Sequence, residues 1–586
     1  MKRFIEFKNG FFLIQKNKNI LLAVIVGASA SIVAGILKTL THTIQNLVCI
    51  NVFSTITNFY LLIYPTIGIL LTLLFIKIFR KGHLEKGLSG IIYSSTLQEA
   101  NIPSYQIYSQ AITSSLTIGF GGSVGLEAPS VLTGAAVGSN IGKLFNASYK
   151  TKLLLLGCGA SSTIASIFNS PIAGIIFCLE VLMLDFSITH LIPLLISTAV
   201  SVFISKILFS HNNIFFSAGE WNSAFLPFYI FLGIFGGFIS AYMIKTTLKI
   251  EEFFSEYRSY WLKGIICSLL LGVLIFLFPP LYGEGYYFIK SVLENNSNAV
   301  AANSIFYNYL KDDYFFLIFI LAIIFLKSIA SALTISAGGN GGIFAPSLFV
   351  GCFSGFFVVK LSALLGLANL NTSEFCALGM AAIISGVIKA PLTGIFLIAE
   401  ITGGYQLFPP LMIVSSISFL ISRSFEKYSI YTKLLAERKN WNPEDKESKL
   451  LKQIKATQLI ENDFLAIQPK DTLKSILQNL SKTKRNLFPV VDSQNNLLGI
   501  VSLDNIREHI LNSELYEFIL AQDLMERAPN EIHPEDNLES IIKKFELTKS
   551  WNLPVVSDGK YLGFISKSSI FKNYREAVKD SEQVLF

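Results

Sequence analysis

The chain has 586 residues, 52% of them hydrophobic, and a mean hydropathy of +0.54. That is too long and too apolar for one soluble domain. Its 47 basic and 40 acidic residues leave a net +7, but the basic ones are not gathered into stripes with aromatics, which argues against a nucleic-acid partner.

Residues 1–18 are short and basic (Lys2, Arg3, Lys8, Lys16, Lys18), and an uncharged span runs from Asn19 to Leu37. No small-residue cleavage site closes a short apolar region there, so the reading is an uncleaved first membrane helix with a cytoplasmic N-terminus. Further uncharged runs are Leu153–Leu179, Trp221–Ile244, Gly264–Gly283, Ser328–Val359 and Ile401–Ser422. Each is near or above the ~20 residues that span a bilayer. Tyr314–Leu326 and Phe375–Ile388 are too short to cross alone. They predict tilted or broken helices, which membranes tolerate where such helices line a cavity.

The stretch Leu116–Ser130, LTIGFGGSVGLEAPS, sets a lone acid, Glu127, among glycines and just before Pro129. An ionisable side chain between apolar segments is a functional-site hypothesis by default. Ala128, Pro129 and the apolar run after them suit the first turn of a helix. That places Glu127 where free N–H groups favour an anion. The stretch recurs as LTISAGGNGGIFAPS, Leu333–Ser347, with nine of fifteen positions identical and Glu127 opposite Phe344. The match extends to Gly134/Gly351 and Gly138/Gly355. A second pair, FNSPIAGIIFCLE (Phe168–Glu180) and IKAPLTGIFLIAE (Ile388–Glu400), shares Pro171/Pro391, Gly174/Gly394 and Glu180/Glu400. Two halves with glycine-interrupted segments in matching places point to an internal-repeat transporter with its site between the repeats.

Between the repeats, PPLYGEGY (Pro279–Tyr286) is a glycine-proline break with Glu284 in a loop or a lined cavity. Residues 286–313 read as a partly exposed connection. FEKYSIYTKLLAERKN closes the membrane part with interfacial aromatics and basic residues. From Lys433 onward 22 basic and 23 acidic residues nearly balance, whereas the part before has 25 and 17. That tail repeats an α/β unit: LFPVVDSQNNLLGIVSLDNI (Leu487–Ile506) and NLPVVSDGKYLGFISKSSI (Asn552–Ile570), each after an amphipathic helix. The six cysteines lie singly in the apolar region and read as packing residues, with no metal site.

GLEAP (Gly125–Pro129) resembles the G-x-E-G-P motif of CLC chloride channels and chloride/proton antiporters, and GGIFAP (Gly341–Pro346) resembles that family's G-x-F-x-P segment. The order GLEAP, FNSPIAG, GGIFAP, APLTG and a late tyrosine is the family's order over residues 20–440, and the tail resembles a tandem CBS pair. The resemblance implies an all-α multi-pass membrane protein with two inverted repeats of tilted and broken helices and a small α/β tail, acting as a homodimer in the cell membrane with its tail cytoplasmic. It implies a membrane domain over 1–440, with halves about 20–250 and 251–424, and a tail over 441–586 with units about 456–511 and 520–580. Glu127 matches the gating and proton-carrying glutamate. Gly125, Ile343 and Phe344 match the central anion site, and Tyr431 matches the tyrosine that closes the inner side, with Tyr428 a nearby competitor.

Four departures stand out. The family's G-S-G-I-P serine is not legible: ungapped counting gives Lys86, and a short shift gives Ser89. Leu126 replaces the basic residue before the gating acid. Val181 stands where well-studied antiporters have an inner acid, next to Glu180, for which a structural role is the expectation. Asn505 and Ser569 stand where tandem CBS pairs often have a ribose-binding Asp, which argues against nucleotide as cofactor. The reading is transport of chloride or a similar anion, with no enzymatic activity. Passive channel and chloride/proton antiporter stay open. The alternative, a CBS-regulated magnesium channel, needs several carboxylates lining the pore, and the membrane part offers too few close together.

Overall fold

A computed structural model describes the chain except residues 1, 50–58, 82–83, 85–86, 98–99, 183–187, 210–215, 217–218, 220, 258, 295, 303, 434–455, 481–482, 484 and 574–586. It divides into two compact units, Met1–Trp441 and Asn442–Phe586. The first unit is helical. Its first half holds α1 (Lys2–Cys49), α2 (Tyr60–Arg80), α3 (Ser89–Leu97), α4 (Tyr105–Gly119), α5 (Glu127–Leu144), α6 (Tyr149–Phe168), α7 (Pro171–Glu180) and α8 (Ile188–Leu208). Next come α9 (Leu226–Ser255), α10 (Tyr260–Leu277), α11 (Tyr286–Leu293), α12 (Ser297–Ala301) and α13 (Asp313–Ser336). The unit closes with α14 (Phe344–Leu364), α15 (Thr372–Ile388), α16 (Pro391–Ile401) and α17 (Phe408–Phe425). Among the described residues, nine helices are long and apolar enough to cross a membrane.

Local sequence sets the breaks. Asn169 ends α6 and Lys389 ends α15 in the left-handed conformation, with φ of 53° and 65°. Pro171 and Pro391 then open α7 and α16, where proline's missing N–H costs nothing. Asp312 caps α13 by accepting from the N–H groups of Tyr314 and Phe315 at 2.8 and 3.3 Å.

The repeated glycines are helix crossings. A Cβ on Gly134 would press on the Gly159 carbonyl, and one on Gly351 would press on Gly379, so α5 meets α6 and α14 meets α15 backbone to backbone. In lipid, such close packing of small residues holds helices together, because lipid tails are as apolar as the side chains. Exposed Leu21, Ile78, Phe203, Phe238, Leu269, Ile318 and Leu420 form an apolar outer face that suits lipid.

Two expectations are corrected. The midpoint near residue 250 falls inside α9, which packs on α13, α15 and α17, so the second half begins near Leu226. Residues 286–313 are not a mere connection: they hold α11, whose Phe288, Ile289 and Val292 are buried.

In the second unit, strands β1 (Leu487–Val491) and β2 (Leu497–Ser502) pair antiparallel, as do β3 (Asn552–Ser557) and β4 (Lys560–Ser566), each pair with a bulge at the second valine of PVV. The segment before each unit crosses to the other: Glu461 bridges to Phe564, and Glu526 bridges to Ile500. The second core accordingly includes Ala456 and Leu459, and the first includes Ala521 and Leu524. This exchange covers strand edges that would otherwise invite pairing with other chains.

Candidate functional site

Both repeats of the LTI stretch leave a helix through a positive-φ glycine, Gly121 (φ 101°) and Gly338 (φ 93°). The two loops then meet. Gly125 and Gly342 each donate the backbone N–H to the other's carbonyl at 2.8 Å, an antiparallel bridge between the halves. A Cβ on Gly342 would lie 2.6 Å from that of Ala128, and one on Gly125 would lie 2.7 Å from that of Ala345 and collide with Glu127 Oε2. Only glycine fits either position. The bridge therefore brings the N-termini of α5 and α14 to one place, from opposite halves.

Glu127 opens α5 and is 2% exposed. The Tyr286 hydroxyl donates to its Oε1 at 2.5 Å. Its Oε2 is buried beside the Ala345 amide without a hydrogen bond of ordinary geometry. The first N–H groups of α14 have no partner inside that helix, and its dipole favours negative charge there. A carboxylate thus sits where a free anion would be stabilised.

The other expected residues gather around the start of α14. Ile343 caps the helix and Phe344 begins it, both buried. The Phe344 ring packs against Phe168 and Phe177, at centroid separations of 5.6 and 6.1 Å. The Tyr431 hydroxyl is buried beside the Ile343 backbone, again without an ordinary hydrogen bond. Tyr428 is half-buried, with Lys427 over its ring at 5.7 Å. Ser89, at the start of α3, donates its hydroxyl to the Tyr431 carbonyl at 2.8 Å. Lys86 lies outside the described residues.

Glu180 and Glu400 cap each other's helices. Glu180, ending α7, accepts from the N–H groups of Leu392 and Thr393 (3.1 and 2.7 Å) and from the Thr393 hydroxyl (2.8 Å), at the start of α16. Glu400, in α16, accepts from the N–H groups of Ile172 and Ala173 at 3.2 and 2.9 Å, at the start of α7. Both carboxylates satisfy orphan donors of a first helical turn. Val181, the C-cap of α7, is 5% exposed among apolar neighbours.

Sequence reasoning missed the side chains that surround Glu127 on its other side. Glu284, noted only as a loop or cavity acid, accepts from the Leu126 N–H at 2.9 Å. Tyr286 follows two residues later. Lys327, fully buried in α13, donates to the carbonyls of Leu281 (3.2 Å) and Gly283 (2.8 Å) and lies 4.8 Å from the Phe349 ring centroid. Lys38, in α1, acts electrostatically on both Glu127 and Glu284. The signal available was that charges were interrupting long apolar runs: Lys38 ends one and Lys327 divides another.

In the tail, Asn505 and Ser569 are both engaged in strand-end turns. Asn505 forms a capping box with Ser502 and donates to Glu526 at 2.7 Å, and the Ser569 N–H donates to Ser566 at 2.9 Å. A nearby cleft is lined by Phe464, Arg485, Trp551, Asn552 and Ser566. Arg485 pairs there with Glu461 at 3.0 Å and with Asp463 at 2.7 Å, and its hydrogen bond holds the Asp463 carboxyl below the usual range.

Two inverted halves that bring the ends of broken helices together around a buried acid define a membrane protein of the internal-repeat transport class. The chain belongs to the voltage gated chloride channel family, whose model matches residues 67–423, and CBS domain models match 456–512 and 521–576. It is 27% identical over 330 residues to a protein named H(+)/Cl(-) exchange transporter ClcA from Vibrio parahaemolyticus, covering 54% of this chain and 67% of that one. It is 24% identical over 459 residues to chloride channel protein CLC-f of Arabidopsis thaliana, covering 69% of this chain and 57% of that one. The fold is shared with a slow cyanobacterial Cl-/H+ antiporter (TM-score 0.60, 21% identity, 72% of this chain, 99% of that one). It is also shared with a eukaryotic CLC transporter (TM-score 0.61, 17% identity, 95% of this chain, 98% of that one).

Proposed function

We propose that the chain moves chloride or a similar small anion across a membrane, with Glu127 as the side chain that opens and closes the path. The observation that carries this is the Glu127 carboxylate, held at the meeting point of two helix N-termini with Oε2 beside the Ala345 amide. It occupies an anion's place, and a proton on it would neutralise it and release the place to an anion. Ile343, Phe344, Tyr431 and Ser89 form the inner part of the same site. Family membership and relatives named as exchangers and as a channel support the anion.

Proton exchange is the reading that the named exchangers favour. Passive anion movement is the second reading, and Val181 favours it: no acid stands there, and Glu180 is already bound to α16. A homodimer with its N-terminus and tail in the cytoplasm follows from the family resemblance and from the basic residues before Asn19. The tail is a regulatory module; Asn505 and Ser569, held in turns, count against a ribose site there. The test is flux from liposomes holding the purified full chain, with chloride, proton and magnesium read separately. Chloride flux is expected; magnesium flux without chloride flux overturns the proposal.

A further inference from the structure

The turn between α10 and α11 delivers two polar side chains to the Glu127 gate. Gly283 (φ 60°) and Gly285 (φ 91°) give it a shape that glycine adopts readily on both sides of Glu284. Lys327 fastens it from α13 through the carbonyls of Leu281 and Gly283. Ser123, in the Glu127 loop itself, donates to the Leu281 carbonyl at 2.7 Å. So anchored, the turn sends Tyr286 to Glu127 Oε1 and Glu284 to the N–H of Leu126, the residue before Glu127.

This differs from a routine helix cap in one respect. The N-terminus of α5 takes its carboxylate from another element, Glu284, while its own first acid, Glu127, is turned toward Ala345 at the start of α14. Two buried acids therefore share one end of the gate. Glu284 is 6% exposed and Glu127 2%. The charged and titratable groups facing Glu284 come from every element around it: Lys38 from α1, Glu127 from α5, Tyr286 from α11 and Lys327 from α13. His42, one turn beyond Lys38, feels the Lys38 charge. Charges this close and this poorly solvated act strongly on one another.

We propose that Glu284 is a positioning residue for the gate: its own charge, offset by Lys327 and Lys38, sets the pH at which Glu127 takes up its proton. The proton comes from solution and ends on a Glu127 carboxylate oxygen, with no other group consumed. The two buried acids disfavour each other's charge, so wherever Glu284 is ionised it favours the protonated form of Glu127. With that charge removed, Glu127 holds its proton only at lower pH. The two lysines supply the positive charge that Leu126 does not.

The inference rests on the proposed gating role of Glu127, and one experiment separates the two. Chloride flux from liposomes is measured against pH for the wild type, Glu284→Gln, Glu127→Gln and the double variant. The amide introduced by Glu284→Gln keeps a carbonyl oxygen for the Leu126 N–H, so the loop retains its hydrogen bond. Glu284→Gln is expected to move the midpoint of the pH response to lower pH by about one unit or more. It is expected to have no further effect on the pH response in the Glu127→Gln background. Glu284→Asp, which keeps the charge, should restore most of the midpoint. A midpoint unmoved in Glu284→Gln, with the response still lost in Glu127→Gln, overturns this inference alone. A response that survives Glu127→Gln overturns the gating role beneath it. If Glu284→Gln does not fold, Lys327→Met provides the second probe: the unbalanced Glu284 charge should move the midpoint the opposite way, and no movement again overturns the inference.

Discussion

Replacing Glu180 should destabilise the membrane unit and leave any proton movement as in the wild type. In Glu180→Ala, the Leu392 and Thr393 N–H groups and the Thr393 hydroxyl lose their acceptor, three hydrogen bonds of 2.7–3.1 Å. A hydrogen bond to a charged group contributes about 1.5–3 kcal/mol, and loss of a helix cap about 0.5–2 kcal/mol. Because Glu180 is only half-buried and water can reach part of the site, the sum is discounted to roughly 3 kcal/mol. Glu400→Ala removes two bonds, of 3.2 and 2.9 Å, and should cost less, about 2 kcal/mol. Glu180→Gln keeps one acceptor oxygen and should fall between wild type and Glu180→Ala. Thermal melting of purified protein in detergent gives the order, and proton flux in liposomes gives the second readout. A Glu180→Ala variant as stable as wild type would refute the capping argument. So would one of normal stability that moves chloride but no longer moves protons.

Gly138→Ala should lower the melting temperature, since its Cβ would press on the Leu155 carbonyl at the α5–α6 crossing; overpacking of this kind costs about 1–3 kcal/mol. Truncation after Asn440 should leave chloride flux measurable in liposomes, because both repeats lie in the unit that ends at Trp441; a well-folded truncation without flux counts against this. In the tail, Asp463 is held ionised by Arg485, so its small stabilising contribution is present above the ordinary Asp range and lost as pH falls below it. Arg485→Ala should therefore lower the tail's melting temperature at pH 7 and make less difference in strong acid; an equal loss at both pH values would contradict the ion-pair account.

The repeats were readable because glycine and proline mark backbone events. Gly125 and Gly342 meet as an antiparallel bridge, and Pro171 and Pro391 open their helices, so the signal lay in residue type and order alone. The reciprocity of Glu180 and Glu400 was half legible: matching positions announced a shared structural role, but not that each would cap the other's helix. The Tyr286 and Glu284 side of the site was not legible. Tyr286 reaches Glu127 from a position 159 residues further along, and no local pattern encodes that distance. Lys327 stands between two apolar runs in the sequence, and nothing local announces that it is fully buried where two turn carbonyls and an aromatic face receive it. The second half's true beginning was hidden for a similar reason: α9 is one long apolar helix, and only its packing on α13, α15 and α17 assigns it.

The central claim is that a proton on Glu127 opens an anion path. Chloride efflux from liposomes holding the Glu127→Gln chain, recorded across pH with folding checked by size-exclusion chromatography, tests it most directly. The neutral amide stands in for the protonated acid, so chloride should flow at every pH with no pH response remaining. A folded Glu127→Gln protein whose flux still follows pH as the wild type does would contradict the claim.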